Sequence, residues 1–360
     1  MTELVLTRST VAPAFERVAD AFCANFERED AYREVGAAFS VQRGGEVLVD
    51  LAGGVLEKGG TDPWQSDTLV NVYSTTKGIT ALTIALLVER GAIAYEAPVS
   101  HYWPAFRGDG KERISVAEML SHQAGLPGFR QPLSLEDLYD HERMAALLAD
   151  QVPFHTPGEA TCYHPLTFGF LADALVRHAT GEDLRSWVQT LIHGHMGLDV
   201  FIGCPDAERS RTARLEPPPA LDPDVLATLP IAVQAALGNP VMKAETAATD
   251  GWRDACLPAA NGHASATGLA GLFSLLTNDG RLGKHPVLGQ DTLAGLCKVR
   301  SNRVDQLLQL PMAWCAGLLR NTAGLYGPVD DVYGHSGWGG SFACADRRNG
   351  LSFAYVCNRM

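Results

Sequence analysis

A chain of 360 residues, 46% hydrophobic and 19% charged, can bury a large core in one large domain or two. Its formal net charge of -12 argues against a nucleic-acid or anionic-membrane partner, and no apolar run reaches membrane-spanning length. The 8 cysteines are scattered without a Cys-x-x-Cys pair, so reduced thiols are expected rather than structural zinc.

The opening Met1-Thr2-Glu3-Leu4-Val5-Leu6-Thr7-Arg8 lacks a basic region followed by an apolar core. It does not read as a secretory signal, and a cytoplasmic location is expected. Residues 10 to 30 read as an amphipathic helix, with Phe15, Val18, Ala19, Phe22 and Phe26 at helical spacing. Two strand-like pieces follow, Gly36 to Gln42 and Glu46 to Ala52, joined as a hairpin through Arg43-Gly44-Gly45.

Next comes Asn71-Val72-Tyr73-Ser74-Thr75-Thr76-Lys77-Gly78, which opens a long apolar run closed by Glu89-Arg90-Gly91. The run predicts a helix that is apolar nearly all round and therefore buried. On its first turn Ser74 and Lys77, three apart, stand side by side. Burial lowers the pKa of a lysine, and a neutral amine can take the proton of a serine hydroxyl. With 16 serines and 6 lysines, about 0.3 Ser-x-x-Lys matches are expected by chance, and one occurs. Taken alone, the motif also fits an N-cap serine beside a surface lysine.

From 92 to about 250 the pattern is helical, with Pro and Gly loops and little strand signal. Helices are expected at Ile114 to His122, Leu166 to Thr180 and Leu184 to His193. Glu216-Pro217-Pro218-Pro219 reads as a stiff surface excursion. Ala264 to Leu276 reads as a helix rich in small residues. Strands return at Gly317 to Arg320, Asp331 to His335, Gly340 to Asp346 and Leu351 to Cys357. The simplest assembly is α+β: one antiparallel sheet from residues 1–90 and 251–360, with a mostly helical part, 91–250, inserted, all in a single domain. A cleft at their junction is the expected site.

Two further stretches carry chemistry. Tyr163, in Thr161-Cys162-Tyr163-His164-Pro165, stands on a loop before a helix. Beside a lysine ammonium its phenolate is favoured and it can shuttle a proton; a plain core tyrosine is the blander reading. Gly334-His335-Ser336-Gly337-Trp338-Gly339-Gly340 lies between two strands, where glycines permit close approach of backbone to a ligand. His193-Gly194-His195 does not share a helix face and no carboxylate supports it, so no metal is expected. No Gly-x-Ser-x-Gly and no Gly-x-x-x-x-Gly-Lys occurs.

Together, Ser-x-x-Lys, a loop tyrosine and a strand bearing His-Ser-Gly resemble the serine β-lactamase and penicillin-binding-protein superfamily. Within it the chain is most similar to the class C β-lactamase-like group and its family VIII carboxylesterases. Leu120-Ser121-His122-Gln123-Ala124-Gly125-Leu126-Pro127, Thr156-Pro157-Gly158 and Asn261-Gly262 add to the resemblance. It implies the β-lactamase/transpeptidase-like fold and a serine hydrolase that cleaves carboxylic esters, or transfers the acyl group, without a cofactor. It implies Ser74 as the acylated nucleophile and Lys77 and Tyr163 as proton-transfer groups. The backbone N–H groups of Ser74 and Trp338 would form an oxyanion hole, and His335, Ser336, Gly337 and Trp338 would line the substrate cleft. His122, in the Leu-Ser-His segment, reads as a hydrogen-bonded structural histidine.

The chain departs from the β-lactamase pattern at two positions. Pro165 stands where Tyr-x-Asn has its asparagine, and His335 where Lys-Thr-Gly has its lysine. Both changes weaken recognition of an anionic β-lactam or D-Ala-D-Ala peptide and suit a neutral small-molecule ester. Relatives usually run past the Asn358-Arg359-Met360 region into a last helix; either that helix is absent here or the chain has been cut short, and an uncovered sheet face could then become a partner interface. The alternatives are a β-lactamase or D-amino-acid peptidase, and a catalytically silent binding protein of the same fold.

Overall fold

The computed structural model describes residues 6–219 and 223–360; Met1–Val5, and with them most of the N-terminal stretch read for a signal, lie outside the described residues. The main sheet has nine strands: β1 (Leu6–Val11), β2 (Gly36–Arg43), β3 (Glu46–Gly54), β4 (Ser301–Val304), β5 (Pro311–Trp314), β6 (Leu319–Arg320), β7 (Val332–Ser336), β8 (Phe342–Asp346) and β9 (Leu351–Cys357). Their order is β1-β3-β2-β9-β8-β7-β6-β5-β4. Every pairing is antiparallel. The two ends of the chain meet where β2 pairs with β9, with Ser40 opposite Ala354.

Alternation along β9 decides which face is which. Ser352, Ala354 and Val356 are buried, whereas Leu351, Phe353 and Tyr355 are half-buried on the other side. The first face receives the helix Ala266–Thr277. The second is partly covered by α1 (Glu16–Glu27), whose Ala19, Phe22 and Phe26 pack on Ala37, Val41 and Leu51. The expected helical spacing thus gives the contact stripe, although the helix is shorter than residues 10 to 30.

Four further helices matter to the site: α2 (Thr76–Glu89), α3 (His141–Asp150), α4 (Thr167–Thr180) and α5 (Ala266–Thr277). All residues of α2 from Thr76 to Leu87 are buried, as the all-round apolar sequence requires. It runs between α4, α5 and β7. Burial of Ile79, Leu82, Ile84, Leu86 and Leu87 contributes about 1.5–3 kcal/mol each relative to exposure. That energy fixes the segment that begins with Ser74.

The structure differs from the sequence reading in several places. A small second sheet joins Val70–Asn71, in the extended arm that leads into the Ser74 segment, to Gly262–Ala264 and Val200–Ile202; the latter two were unforeseen, the last inside the part read as helical. Three-residue strands carry too little alternation to register. β1, β4 and β5 were also unforeseen; β4 and β5 form one end of the sheet. The helix expected over Leu184 to His193 is a short α-helical piece, Leu184–Trp187, that widens into a π-helical stretch, Val188–His195. Pro217 and Pro219 are exposed and Pro218 half-buried, as a surface excursion requires, and all three also line the main cavity, with the helices Pro223–Thr228 and Ile231–Gly238 following them.

Candidate active site

The small sheet delivers the serine. The Val72 N–H donates to the Gly262 carbonyl (2.8 Å), and the Asn71 amide donates to Ala260 O (3.2 Å) while accepting from the Trp252 indole (2.9 Å). The chain then turns sharply. Tyr73 has φ +42°, a left-handed conformation that costs a side-chain-bearing residue energy. The surroundings hold it there: the phenol donates to Ala244 O (3.3 Å) and the ring packs edge-on against Trp338 at 5.0 Å. Ser74 follows in the single 3-10 turn Tyr73–Thr75 that feeds α2.

Lys77 is fully buried. Its Nζ lies 2.9 Å from Ser74 Oγ, 2.8 Å from Pro165 O and 3.0 Å from Ala259 O. Burial holds the amine well below the ordinary lysine range. In the neutral form two N–H bonds go to the two carbonyls, and the lone pair is left for the serine hydroxyl. The carbonyls come from two loops that the sequence fixes separately. Asn261 pins the 252–261 loop: its amide donates to Trp252 O and Ala255 O (both 2.8 Å) and accepts from the Leu257 N–H (3.1 Å). Pro165, where the resemblance loses an asparagine side chain, contributes its backbone oxygen.

Tyr163 is buried beside this pair. Its ring centroid is 4.9 Å from Lys77 Nζ, and it lines one cavity with Ser74. Burial pushes the phenol up, and the nearby Ser74 hydroxyl pulls it partway back. The phenolate expected from the sequence is thus not the form the site favours: with Lys77 neutral there is no ammonium to stabilise it, and phenol and amine are both uncharged.

Three groups missed in the sequence hold Tyr163 in place. Asp305 Oδ1 accepts the Tyr163 N–H (3.0 Å), and Trp314 stacks on the ring at 5.7 Å and 16°. His164 donates from Nδ1 to Cys162 O (2.6 Å) and accepts the Leu126 N–H on Nε2 (3.2 Å). Its own N–H donates to Nδ1 of His122 (3.2 Å). His122 is therefore a structural histidine, as read from sequence. Asp305 sits in a polar stretch without periodicity, so no sequence signal singled it out.

The glycine-rich strand end lies against the serine turn. Ser341 Oγ donates to Val72 O (2.9 Å), and Thr75 Oγ1 donates to Ser341 O (3.2 Å). A Cβ on Gly337 would fall inside the contact radius of Val72 O and within 3.1 Å of Thr75 Oγ1. Only glycine lets the two backbones approach this closely, and the approach sets Trp338 against Tyr73, the neighbour of Ser74. Trp338 itself is 44% exposed, at the mouth of the cleft.

His335 is buried and pushed down to about 3, by loss of solvation and then by the nearby Lys77. It donates from Nδ1 to Ser336 O (2.9 Å). Among the described residues its Nε2 has no partner. The position that is a cation in the β-lactamase pattern is here a neutral ring.

Ser74, Tyr163, His335, Ser336, Gly337 and Trp338 all line one cavity of about 1030 Å³. Its other walls are mostly apolar, and among the described residues its charged lining side chains are Lys243 and Glu245. The arrangement joins a hydroxyl, a desolvated amine and a neutral phenol at the edge of a mostly apolar cleft. That is an equipment for acyl chemistry.

Comparison with known proteins agrees. A family model described as Beta-lactamase matches residues 19–360. Esterase/beta-lactamase LipL of Mycobacterium tuberculosis is 34% identical over 97% of this chain and 82% of its own. Esterase EstB of Burkholderia gladioli is 32% identical over 46% of each chain. Among solved structures, a family VIII carboxylesterase superposes with TM-score 0.92 at 38% identity, covering 99% of this chain and 94% of that one. A penicillin-binding-protein homologue from Caulobacter crescentus gives 0.89 at 36%, with the same coverage. Matches that run nearly end to end, over both the sheet and the serine turn, make the chain a member of the β-lactamase family and a serine hydrolase.

Proposed function

We propose that this hydrolase cleaves uncharged carboxylic esters through a covalent acyl-enzyme on Ser74. One observation carries the reading most of the way: the buried Lys77 amine, tied to two backbone carbonyls, has its remaining direction on Ser74 Oγ at 2.9 Å. Ser74 Oγ attacks the ester carbonyl as its proton passes to Lys77. The oxyanion so formed accepts hydrogen bonds from the backbone N–H groups of Ser74 and Trp338. On collapse the alcohol departs with a proton from Tyr163, which Lys77 then restores. Water adds to the acyl-enzyme by the reverse relay and releases the carboxylic acid.

The cleft favours esters over β-lactams. A β-lactam substrate brings a carboxylate, and the neutral His335 offers it no charge. Pro165 offers no side-chain amide. Two relatives carry the word esterase in their names, and a solved neighbour is titled a family VIII carboxylesterase. The apolar walls also suit transfer of the acyl group to a second alcohol in place of water, and a solved neighbour at 20% identity is titled a hydrolase with promiscuous acyltransferase activity.

A panel of p-nitrophenyl esters set against nitrocefin tests the reading. Ester turnover well above nitrocefin turnover, lost in Ser74→Ala, is the expected result. Fast nitrocefin turnover with poor ester turnover would reverse it in favour of a β-lactamase.

A further inference from the structure

The esterase reading leaves open which half of the ester the protein recognises, and one wall of the cavity addresses this. In that reading the departing alcohol takes its proton from Tyr163, so the leaving oxygen must come within hydrogen-bond reach of that phenol. Tyr163 does not stand alone in the cavity wall. It forms one apolar cluster with Met312, Trp314 and Leu319, and Leu307, Leu308 and Tyr326 pack against it. All of these line the cavity.

The carboxylate of this region is taken up by backbone N–H groups, and the polar atoms left to the cleft, the Tyr326 and Ser336 hydroxyls and His335 Nε2, lie on Tyr326 and the end of β7 rather than on the leucines. Asp305 Oδ1 is occupied by the N–H groups of Tyr163, Leu307 and Leu308 (3.0, 2.9 and 3.1 Å), and Oδ2 faces the Trp314 indole (3.3 Å). The charged lining residues Lys243 and Glu245 flank Ala244, whose carbonyl accepts the Tyr73 phenol, and neither belongs to the apolar cluster around Tyr163. A hydroxylated or charged alcohol placed on the leucines would lose its water without gaining partners, which costs about 1–3 kcal/mol for each stranded polar group. An apolar alcohol loses nothing and gains burial.

We propose that the substrate's alcohol part is a bulky, uncharged apolar group, seated against Leu307, Leu308, Met312 and Leu319. Its carbon–oxygen bond to the acyl carbon breaks as Ser74 Oγ bonds to that carbon. It leaves as a neutral alcohol with one proton from Tyr163, and the later water supplies the balancing hydroxyl and proton. The inference rests on the esterase reading and adds the identity of the leaving group.

The test holds the acid constant and varies the alcohol: ethyl, butyl, hexyl and octyl acetate, with glycerol monoacetate as the polar comparison. Acid release is followed at constant pH. These primary alkanols resemble one another as leaving groups, so the series reads binding. kcat/KM is expected to rise about two- to fourfold per methylene until the wall is covered. Glycerol monoacetate is expected to fall below butyl acetate. Leu308→Ser, at a half-buried position, is expected to flatten the rise. The slope is a ratio between substrates, so it does not depend on how much variant folds. A flat or falling series with good ethyl acetate turnover overturns the inference and leaves the esterase reading standing. A slope unchanged in Leu308→Ser overturns the seat assigned to the alcohol. No turnover of any ester overturns both readings together.

Discussion

Asp305 reaches across 142 positions of sequence to accept the backbone N–H of Tyr163 at 3.0 Å, and in doing so it ties the end of the sheet to the Tyr163 loop. The same Oδ1 accepts two further N–H groups. Asp305 touches neither Ser74 nor the place of the carbonyl, so it acts by positioning. Asp305→Ala should lower kcat about 10–100-fold with a smaller change in KM, because the phenol loses its fixed place while the cavity walls remain. Asp305→Asn, which keeps one carbonyl oxygen, should recover most of kcat. Equal loss in both variants, or a pure KM effect, would remove Asp305 from this role.

Lys77 gives a pH prediction whose sign follows from burial. The amine must be neutral to accept the serine proton, and its folded pKa lies well below the ordinary lysine value. Activity is therefore lost as pH falls through that lowered pKa and retained above it. The rising limb of kcat/KM should vanish together with the activity in Lys77→Ala, which should cost three orders of magnitude or more. Lys77→Arg should not restore it, since guanidinium stays charged. Substantial turnover in either variant would contradict the assignment.

Gly337→Ala tests the backbone approach. The new Cβ has no room against Val72 O, and its other neighbours, Ser341 Oγ and Thr75 Oγ1, are buried hydroxyls. The strand end must shift away from Ser74. We expect at least a 100-fold loss in kcat, in line with loss of an oxyanion donor, and a lowered Tm. Wild-type activity in the alanine variant would show that the strand end does not serve the reaction.

Much of this was legible in the sequence, for physical reasons. An uninterrupted apolar run can only be a buried segment, so α2 and the placement of Ser74 beside Lys77 followed from spacing. The paired glycines Gly44 and Gly45 marked the hairpin of β2 and β3, and both have positive φ. What stayed hidden depends on long-range contact. Asp305 gains its meaning only when β5 folds against the Tyr163 loop. The carbonyls of Pro165 and Ala259 are backbone, which no residue type advertises. The phenolate was misjudged because charge at Tyr163 depends on burial of its neighbour, a property of the assembled site.

Acid should unfold the protein early. His164 and His335 are pushed down to about 3 and His263 to about 4 by burial, and His122 is held well below the usual range. In the unfolded chain each takes up a proton near pH 6.5, so the unfolded state binds more protons and stability falls as pH drops from about 6.5 towards 4. Each such histidine removes up to about 1.4 kcal/mol per pH unit across that window. Glu34 opposes them: burial raises it to about 7, so its contribution grows as pH falls from 7 to 4.5. It is one group against five, because burial also lowers His141. Tm from calorimetry should fall steadily between pH 7 and pH 5, and a constant or rising Tm would refute the neutral, buried state of these rings.

The most direct measurement is intact mass after treatment with a fluorophosphonate, followed by peptide mapping. A single adduct on the peptide carrying Ser74, absent in Ser74→Ala and in protein blocked by substrate, is what the proposed acyl-enzyme chemistry requires. An enzyme that hydrolyses esters yet takes no adduct at Ser74, or takes it on another residue, would contradict the account at its centre.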